Sequence, residues 1–279
     1  MKEIILETII DSLKILPFLF ITFLIIELFE HKFSTKMKNV VHKCGRFGPI
    51  IGSAAGIVPQ CGFSVAATNL YITRVISLGT LIAIYLSTSD EMLPILIAQN
   101  APVKTIITIL FIKFISGVIF GFIIDYLFKN KYEKLNYEVC EDEHCDCKHG
   151  IFKSSIKHTF NTFVFLIIAS FIVNLLFEYT SESFVNKIFM KDNFLGPFVG
   201  SLIGLIPNCG ASVALTELFL NNAINLGTCI SGVLTGSGVA ILVLFKSNKN
   251  LKENILILSM LYFIGVLVGI FIELMGILL

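Results

Sequence analysis

The sequence predicts an all-α polytopic membrane protein made of two inverted repeats, each with three transmembrane helices plus one re-entrant or broken-helix hairpin. Three observations predict this fold class: long apolar runs, an internal duplication, and the distribution of basic residues. The chain has 279 residues, of which 55% are hydrophobic and only 15% charged, whereas soluble domains are about a quarter charged. Several apolar runs exceed the roughly 18 residues that mark a membrane-spanning helix.

A duplicated segment organises the chain. Residues 48–80 and 196–228 share 17 of 33 amino acids without a gap. Each copy carries a proline–x–cysteine–glycine–x–serine motif, at 59–64 in the first and 207–212 in the second. Because proline removes a backbone donor and glycine favours a turn, each motif predicts a break inside an apolar helical segment.

The duplication divides the chain into three parts. We expect residues 1–128 to form a first transmembrane repeat, residues 129–155 a linker with histidine, cysteine and acidic residues, and residues 156–279 a second transmembrane repeat. The expected spans are 4–29, 76–98, 103–128, 156–178, 224–245 and 254–278, and the broken segments are 48–72 and 195–221. The first apolar run is too long for a signal peptide core, so we interpret it as a retained span.

The basic residues distinguish two interpretations of the broken segments, which either cross the membrane or re-enter on the same side. Crossing would divide the basic residues 11 to 8 between the two sides, whereas re-entry divides them 15 to 4. The positive-inside rule therefore favours re-entrant hairpins, with both termini outside and the linker in the cytoplasm. Three crossings in each half also invert the second half relative to the first, as in many secondary transporters.

Broken helices at equivalent positions of two repeats are typical of a transporter binding site. Inverted hairpins would bring Cys61 and Cys209 together near the membrane midplane, where positive helix N-termini favour anions or thiolates. The alternative is that both cysteines are small apolar residues filling a tight turn. The candidate substrate-binding residues are Gln60, Cys61, Ser64, Thr68, Asn69, Asn208, Cys209, Ser212, Thr216 and Glu217.

A pair of adjacent carboxylates, Asp90 and Glu91, lies midway along the expected span at 76–98. Carboxylates at membrane depth are costly and point to function, and the second half has glycine and valine in their place. This asymmetry predicts a single proton-coupling site, with Lys113 as a partner. The alternatives are that the helix breaks there and the acids reach water or a lysine, and that Lys113 extends to the membrane surface.

The linker contains a dense group of metal-ligand side chains: Cys140, His144, Cys145, Cys147 and His149. Thiolates and imidazoles bind zinc or copper(I), so the linker predicts metal capture or sensing. The Cys-x-Cys spacing is not that of a zinc finger, and a disordered acidic linker would look similar.

Several motifs together carry a resemblance to a known family. They are Gly56-x-x-Pro59-Gln60-Cys61-Gly62-Phe63-Ser64, Ala66-Ala67-x-x-Leu70-Tyr71, Leu78-Gly79-Thr80-Leu81, Ser87-x-x-Asp90-Glu91-x-x-Pro94 and the second-half Pro207-x-Cys209-Gly210. With the linker, they resemble the ten-helix heavy-metal exporter family, whose members are called arsenic efflux proteins or manganese transporters. The proline–cysteine turn is also distantly similar to that of the organoarsenical permease family. The resemblance implies a multi-pass permease of the bacterial inner membrane that moves a metal or metalloid outward.

The leading hypothesis is therefore a secondary transporter that exports an arsenic-like substrate by proton-coupled alternating access. The alternative is an exporter of manganese or another divalent metal, in which oxygen ligands from Asp90, Glu91, Asn69 and Gln60 would dominate. A channel and an intramembrane thiol redox enzyme are further alternatives. We expect no enzymatic activity, cofactor or nucleic-acid partner; the expected partners are the lipid bilayer, the metal or metalloid, and protons. The sequence has no Walker-type nucleotide-binding loop.

Overall fold

The computed structural model describes residues 47–57, 61–89, 92–132, 195–207 and 209–275, with isolated residues between 16 and 24 and between 156 and 168. Every regular element in these residues is an α-helix, which confirms the all-α prediction for the part of the chain described. Apart from those isolated residues, the expected spans at 4–29 and 156–178 lie outside the described residues, as does most of the linker.

Ten helices follow one another in the described part of the chain. The first half contains α1 (Gly48–Gly56), α2 (Cys61–Ile72), α3 (Leu78–Ser87), α4 (Met92–Ala98) and α5 (Val103–Tyr132). The second half contains α6 (Gly196–Gly204), α7 (Cys209–Leu220), α8 (Leu226–Thr235), α9 (Ala240–Ser247) and α10 (Leu251–Leu274). Each proline–cysteine–glycine motif thus separates two short helices, as the sequence predicts.

Helix α1 lies alongside α3 and runs in the same direction. A Cβ atom on Gly48 would overlap Thr80 near the start of α3, and one on Gly56 would overlap Ser87 at its end. Both glycines therefore allow the two helix backbones to approach closely.

Helix α2 runs back alongside α3 in the opposite direction. The turn at 73–77 is tight, because the Arg74 N–H donates to the Tyr71 carbonyl at 2.9 Å and Arg74 adopts a φ of 58°. Beyond the turn, Thr68 on α2 reaches Tyr85 on α3. Helices α1 and α2 consequently form a helical hairpin against α3.

Helix α5 packs against α3 through its glycines. A Cβ atom on Gly117 would lie 2.8 Å from the Ala83 carbonyl oxygen, and one on Gly121 would lie 2.9 Å from the Gly79 carbonyl oxygen. The small-xxx-small spacing in the sequence therefore marks a helix–helix contact.

The second half repeats these contacts at an offset of 148 residues. A Cβ atom on Gly196 would overlap Thr228, one on Gly265 would lie 2.8 Å from the Ser231 carbonyl oxygen, and one on Gly269 would lie 2.7 Å from that of Gly227. Helices α6, α8 and α10 thus reproduce the packing of α1, α3 and α5.

The two halves also interlock. Helix α2 packs against α9, helix α4 packs against α7, and α3 meets α8. Each second hairpin arm therefore contacts the opposite half.

Two expected spans are interrupted. The span at 76–98 divides into α3 and α4, and the span at 224–245 divides into α8 and α9. The first interruption is one of the alternatives stated for Asp90 and Glu91, and the second differs from the sequence-based expectation. In the second, Gly236 and Gly238 weaken the helix, and Gly238 adopts a φ of 55°.

Three segments of the described chain are long and apolar enough to cross a membrane: Val103–Phe128, Leu226–Ser247 and Leu251–Leu274. Helices α5 and α10 expose large apolar side chains, including Phe111 and Phe263, whereas Leu226–Ser247 is mostly buried. Such exposed apolar faces are unusual in soluble proteins and suit contact with lipid. The described helices therefore agree with a multi-pass membrane protein.

Candidate functional site

The two hairpins place a cysteine at the start of their second arms. Cys61 is the first residue of α2, and Cys209 is the first residue of α7. Their side chains, like Gln60 and Asn208, lie outside the described residues. Their substrate contact remains a prediction from the sequence.

A hydroxyl chain connects the first hairpin to α3. The Thr68 hydroxyl donates to the Ser64 carbonyl at 2.7 Å and lies 2.5 Å from the Tyr85 hydroxyl. Ser64, Thr68 and Tyr85 are all buried. The contact between Thr68 and Tyr85 fixes the middle of α2 against α3, so the Thr68 side chain has a structural role.

The second hairpin carries the same threonine in a less polar setting. The Thr216 hydroxyl donates to the Ser212 carbonyl at 2.7 Å, and Val233 occupies the position equivalent to Tyr85.

Two further candidates differ in exposure: Asn69 is buried on α2, whereas its counterpart Glu217 is exposed on α7. The Asn69 Nδ2 atom is buried and has no hydrogen-bond partner among the described residues.

The interruption between α3 and α4 is held by short hydroxyl side chains. The hydroxyls of Ser87 and Thr88 donate to the Ala83 and Ile84 carbonyls at 2.9 and 2.7 Å. Side-chain bonds of this kind weaken and bend a helix, and α3 ends at Ser87. Asp90 and Glu91, which follow directly, lie outside the described residues.

The interruption between α8 and α9 redirects one backbone bond. The Ser237 N–H donates to the Thr235 carbonyl at 2.9 Å, whereas a continuous α-helix would direct it to the Val233 carbonyl. The Ser237 hydroxyl is buried and has no hydrogen-bond partner among the described residues. The break therefore leaves polar groups inside the protein.

Lys113 on α5 lies where the two interruptions meet. Its side chain is fully buried, and Nζ donates to the Thr88 carbonyl and, at 3.0 Å, to the Val233 carbonyl. Leu261 occupies the equivalent position on α10 and is also buried. A single ammonium group thus contacts both halves.

An ion pair that the sequence analysis missed connects the first hairpin to α10. The Arg74 Nη1 and Nη2 atoms donate to the Glu253 Oε1 and Oε2 atoms at 2.8 and 3.2 Å. The Tyr71 hydroxyl also donates to Glu253, and the Arg74 guanidinium lies 5.0 Å from the centre of the Tyr71 ring. Burial alone would lower the pKa of Arg74, but its hydrogen bond to Glu253 and the charge of that carboxylate raise the pKa above its ordinary value. Arg74 therefore stays charged.

Acids near the ends of α5 and α10 contact the starts of α3 and α8. Asp125 accepts hydrogen bonds from the Gly79 N–H and the Ser77 hydroxyl, both at 2.8 Å. Glu273 accepts one from the Thr228 hydroxyl at 3.1 Å. Asp125 thus satisfies an unpaired N–H group at the start of α3, whereas Glu273 bonds to a side chain at the start of α8.

The predicted linker cluster of Cys140, His144, Cys145, Cys147 and His149 lies outside the described residues. Within the residues that are described, no group of three or more His, Cys, Asp or Glu side chains could hold a metal. The free cysteine described with its side chain is Cys229, which is buried on α8. Metal capture by the linker therefore stays a prediction.

Comparison with known proteins supports the resemblance. The family profile ArsP_2, described as "Putative, 10TM heavy-metal exporter", matches residues 1–191, more than half of the chain. The match contains the first proline–cysteine–glycine motif but ends before the second. No curated protein and no solved structure matches the chain. The family match identifies the chain as a member of the ten-transmembrane heavy-metal exporter family.

Proposed function

We propose that this chain is a secondary transporter of the bacterial inner membrane that exports an arsenic-like metalloid by proton-coupled alternating access between two inverted repeats. The observation that carries the proposal is the meeting of two interrupted helices, one from each half, at Lys113. Irregular backbone at membrane depth occurs only where protein surrounds it or where it lines a cavity. Paired interrupted helices form the substrate sites of many secondary transporters.

Contacts along α10 support the inversion. Glu253, near the start of α10, contacts Arg74, just before α3 begins. Glu273, near the end of α10, lies against Gly227 at the start of α8. Since the 24 residues of α10 extend about 36 Å, the starts of α3 and α8 lie far apart along the helix axis. This is the relation expected if the halves cross the membrane in opposite directions.

The hairpin contacts support re-entry. Helices α1 and α2 run in opposite directions beside α3, with the start of α1 and the end of α2 both near residues 77–80. The two arms have only 9 and 12 residues, and about 20 are needed to cross. Re-entry also gives the 15 to 4 division of basic residues.

The proposed substrate ligands are the thiols of Cys61 and Cys209. Both begin the second arm of a hairpin, where the helix dipole favours the thiolate form. Thiolates prefer soft metals and metalloids. Asp90 and Glu91 would exchange protons beside Lys113, and the linker would capture metal in the cytoplasm.

The thiol mechanism is tested in a metal-sensitive bacterial host. We expect the wild-type chain to increase resistance to arsenite or methylarsenicals and to reduce arsenic accumulation. Cys61→Ala and Cys209→Ala should abolish both effects, whereas Cys229→Ala, which removes a buried thiol on α8, should keep them. Unchanged resistance with Cys61→Ala would refute a thiol ligand.

The same host distinguishes the alternative substrate. Resistance to manganese that survives both cysteine substitutions but is lost with Asp90→Asn or Glu91→Gln would indicate an oxygen-ligand site for a divalent metal.

Uptake of the substrate into everted membrane vesicles tests the proton coupling. A rate that does not change when the proton gradient is collapsed would contradict proton coupling and favour a channel.

A further inference from the structure

The surroundings of Lys113 have the chemistry of a cation site. Its ammonium group donates to the Thr88 carbonyl, immediately after α3 ends, and to the Val233 carbonyl in the last turn of α8. Carbonyls at helix C-termini lack helical partners and carry the negative end of the helix dipole. Two such ends converge on one point, so the site favours a positive charge.

The Val233 carbonyl is available because α8 is interrupted. The Ser237 N–H, which would bond to that carbonyl in a continuous helix, donates to Thr235 instead. A buried carbonyl without a donor destabilises the folded protein. The ammonium group of Lys113 supplies the missing donor.

The lysine occurs in one of the two equivalent positions of the repeat. The position equivalent to Lys113 is Leu261, which is buried in the same way. Packing alone is therefore satisfied by an apolar side chain at this place in the repeat. The lysine contributes a charge that packing does not require.

We infer that the carbonyls at the C-terminal ends of α3 and α8 form a monovalent-cation site. In the wild-type protein the ammonium group of Lys113 occupies this site in place of a free cation. In other transporters, unwound carbonyls and the C-terminal ends of broken helices bind Na⁺ at such places. Here the side chain holds the two interruptions together without an ion from solution. Removing the ammonium group opens the site to a small cation with a preference for oxygen ligands, such as Na⁺ or Li⁺. This inference rests on the contacts of Lys113 and is independent of the exported substrate.

The experiment measures the unfolding midpoint of the purified full-length protein in detergent. Lys113→Ala removes the whole side chain, and Lys113→Met keeps most of the apolar stem while removing the ammonium group. Each variant is compared in NaCl, LiCl, KCl and choline chloride at equal ionic strength. Leu261→Ala is the matched control, because it removes packing at the equivalent position of the other half.

We expect the wild-type midpoint to be the same in all four salts. Lys113→Ala and Lys113→Met should unfold at lower temperature in choline chloride and regain about 3 °C or more in one of the metal salts, saturably with concentration. Leu261→Ala should lose stability equally in every salt.

Equal midpoints of both Lys113 variants in choline and in all three metal salts would overturn the inference. So would a wild-type protein that shows the same salt-specific rise. Failure of both variants to fold in any metal salt would also overturn it, because an external cation would then be unable to replace the ammonium group.

Discussion

The two halves of the chain share their packing but differ in several of their charges. Glycine contacts between the first and third helices of each half recur at Gly48 and Gly196. By contrast, Lys113 is matched by leucine, Arg74 by asparagine and Glu253 by threonine at the equivalent positions. The duplication has therefore kept the residues that bring helix backbones together.

This difference separates the residues that specify helix packing from those that distinguish one half from the other. Small residues are repeated because helix packing in lipid depends on close backbone approach. Charged side chains inside a membrane protein cost free energy and are found mainly where they have a function. We therefore expect equivalent glycine substitutions to be similarly damaging in the two halves, whereas a substitution at a single-copy charge has no counterpart in the other half.

The largest effect is expected at a repeated glycine contact. In Gly117→Leu and Gly265→Leu, the new side chain meets a backbone carbonyl oxygen at 2.8 Å, and overpacking of this kind costs about 3 kcal/mol. Both variants should lose similar amounts of unfolding free energy, measured by thermal unfolding in detergent. The control is Gly236→Ala, whose Cβ would lie 3.4 Å from its nearest neighbour. Severe damage in one half alone would contradict equivalent packing.

The ion pair between the first hairpin and α10 should give the next largest effect. Glu253→Gln leaves the half-buried Arg74 without its charged partner and should cost about 2 kcal/mol. Lys252→Gln, an exposed neighbour, should be neutral. In a double-mutant cycle with Arg74→Gln, the two losses should not add. Additive losses would show that the carboxylate and the guanidinium act independently.

The acids at the ends of α5 and α10 should differ in strength. Asp125 accepts two hydrogen bonds at 2.8 Å, whereas Glu273 accepts one at 3.1 Å. Asp125→Asn should therefore cost about 1.5 kcal/mol and Glu273→Gln about 0.5 kcal/mol. Chemical denaturation of both variants in mixed micelles measures the difference, and equal losses would exclude the unequal capping inferred from the contacts.

The smallest effect is expected at an equivalent pair of buried serines. The Ser201 hydroxyl donates to the Ser231 carbonyl at 3.3 Å, whereas the Ser53 hydroxyl has no hydrogen-bond partner among the described residues. Ser201→Ala should cost about 0.5 kcal/mol, and Ser53→Ala should be neutral or slightly stabilising. The unfolding midpoints of the two single variants test this order of stability losses. A larger loss of stability in Ser53→Ala than in Ser201→Ala would contradict it.

The hairpins could be predicted because their breaks depend on residues that are close together in the sequence. Proline and glycine within an apolar run determine a break wherever they occur, so α1, α2, α6 and α7 were expected close to their observed bounds. The interruption at 236–239 was missed because the apolar length of 224–245 is that of a full span. Gly236 and Gly238 were the available signal.

Long-range contacts could not be predicted in the same way. Arg74 and Glu253 are 179 residues apart, and Lys113 and Val233 are 120 residues apart. No periodicity or motif connects such positions, since the contacts depend on how the halves interlock. The sequence predicts Lys113 as a partner of Asp90 and Glu91, but its burial and its two carbonyl partners are apparent only in three dimensions.

The burial of Leu226–Ser247 has a consequence for biosynthesis. This segment is apolar enough to cross a membrane, yet it is interrupted at 236–239 and is mostly enclosed by its neighbours. A segment with irregular backbone cannot remain alone in hydrocarbon. We expect it to stay near the insertion machinery during translation until α10 emerges and covers it. A chain that ends before α10 would leave this segment open to lipid, and we expect the cell to recognise and degrade it.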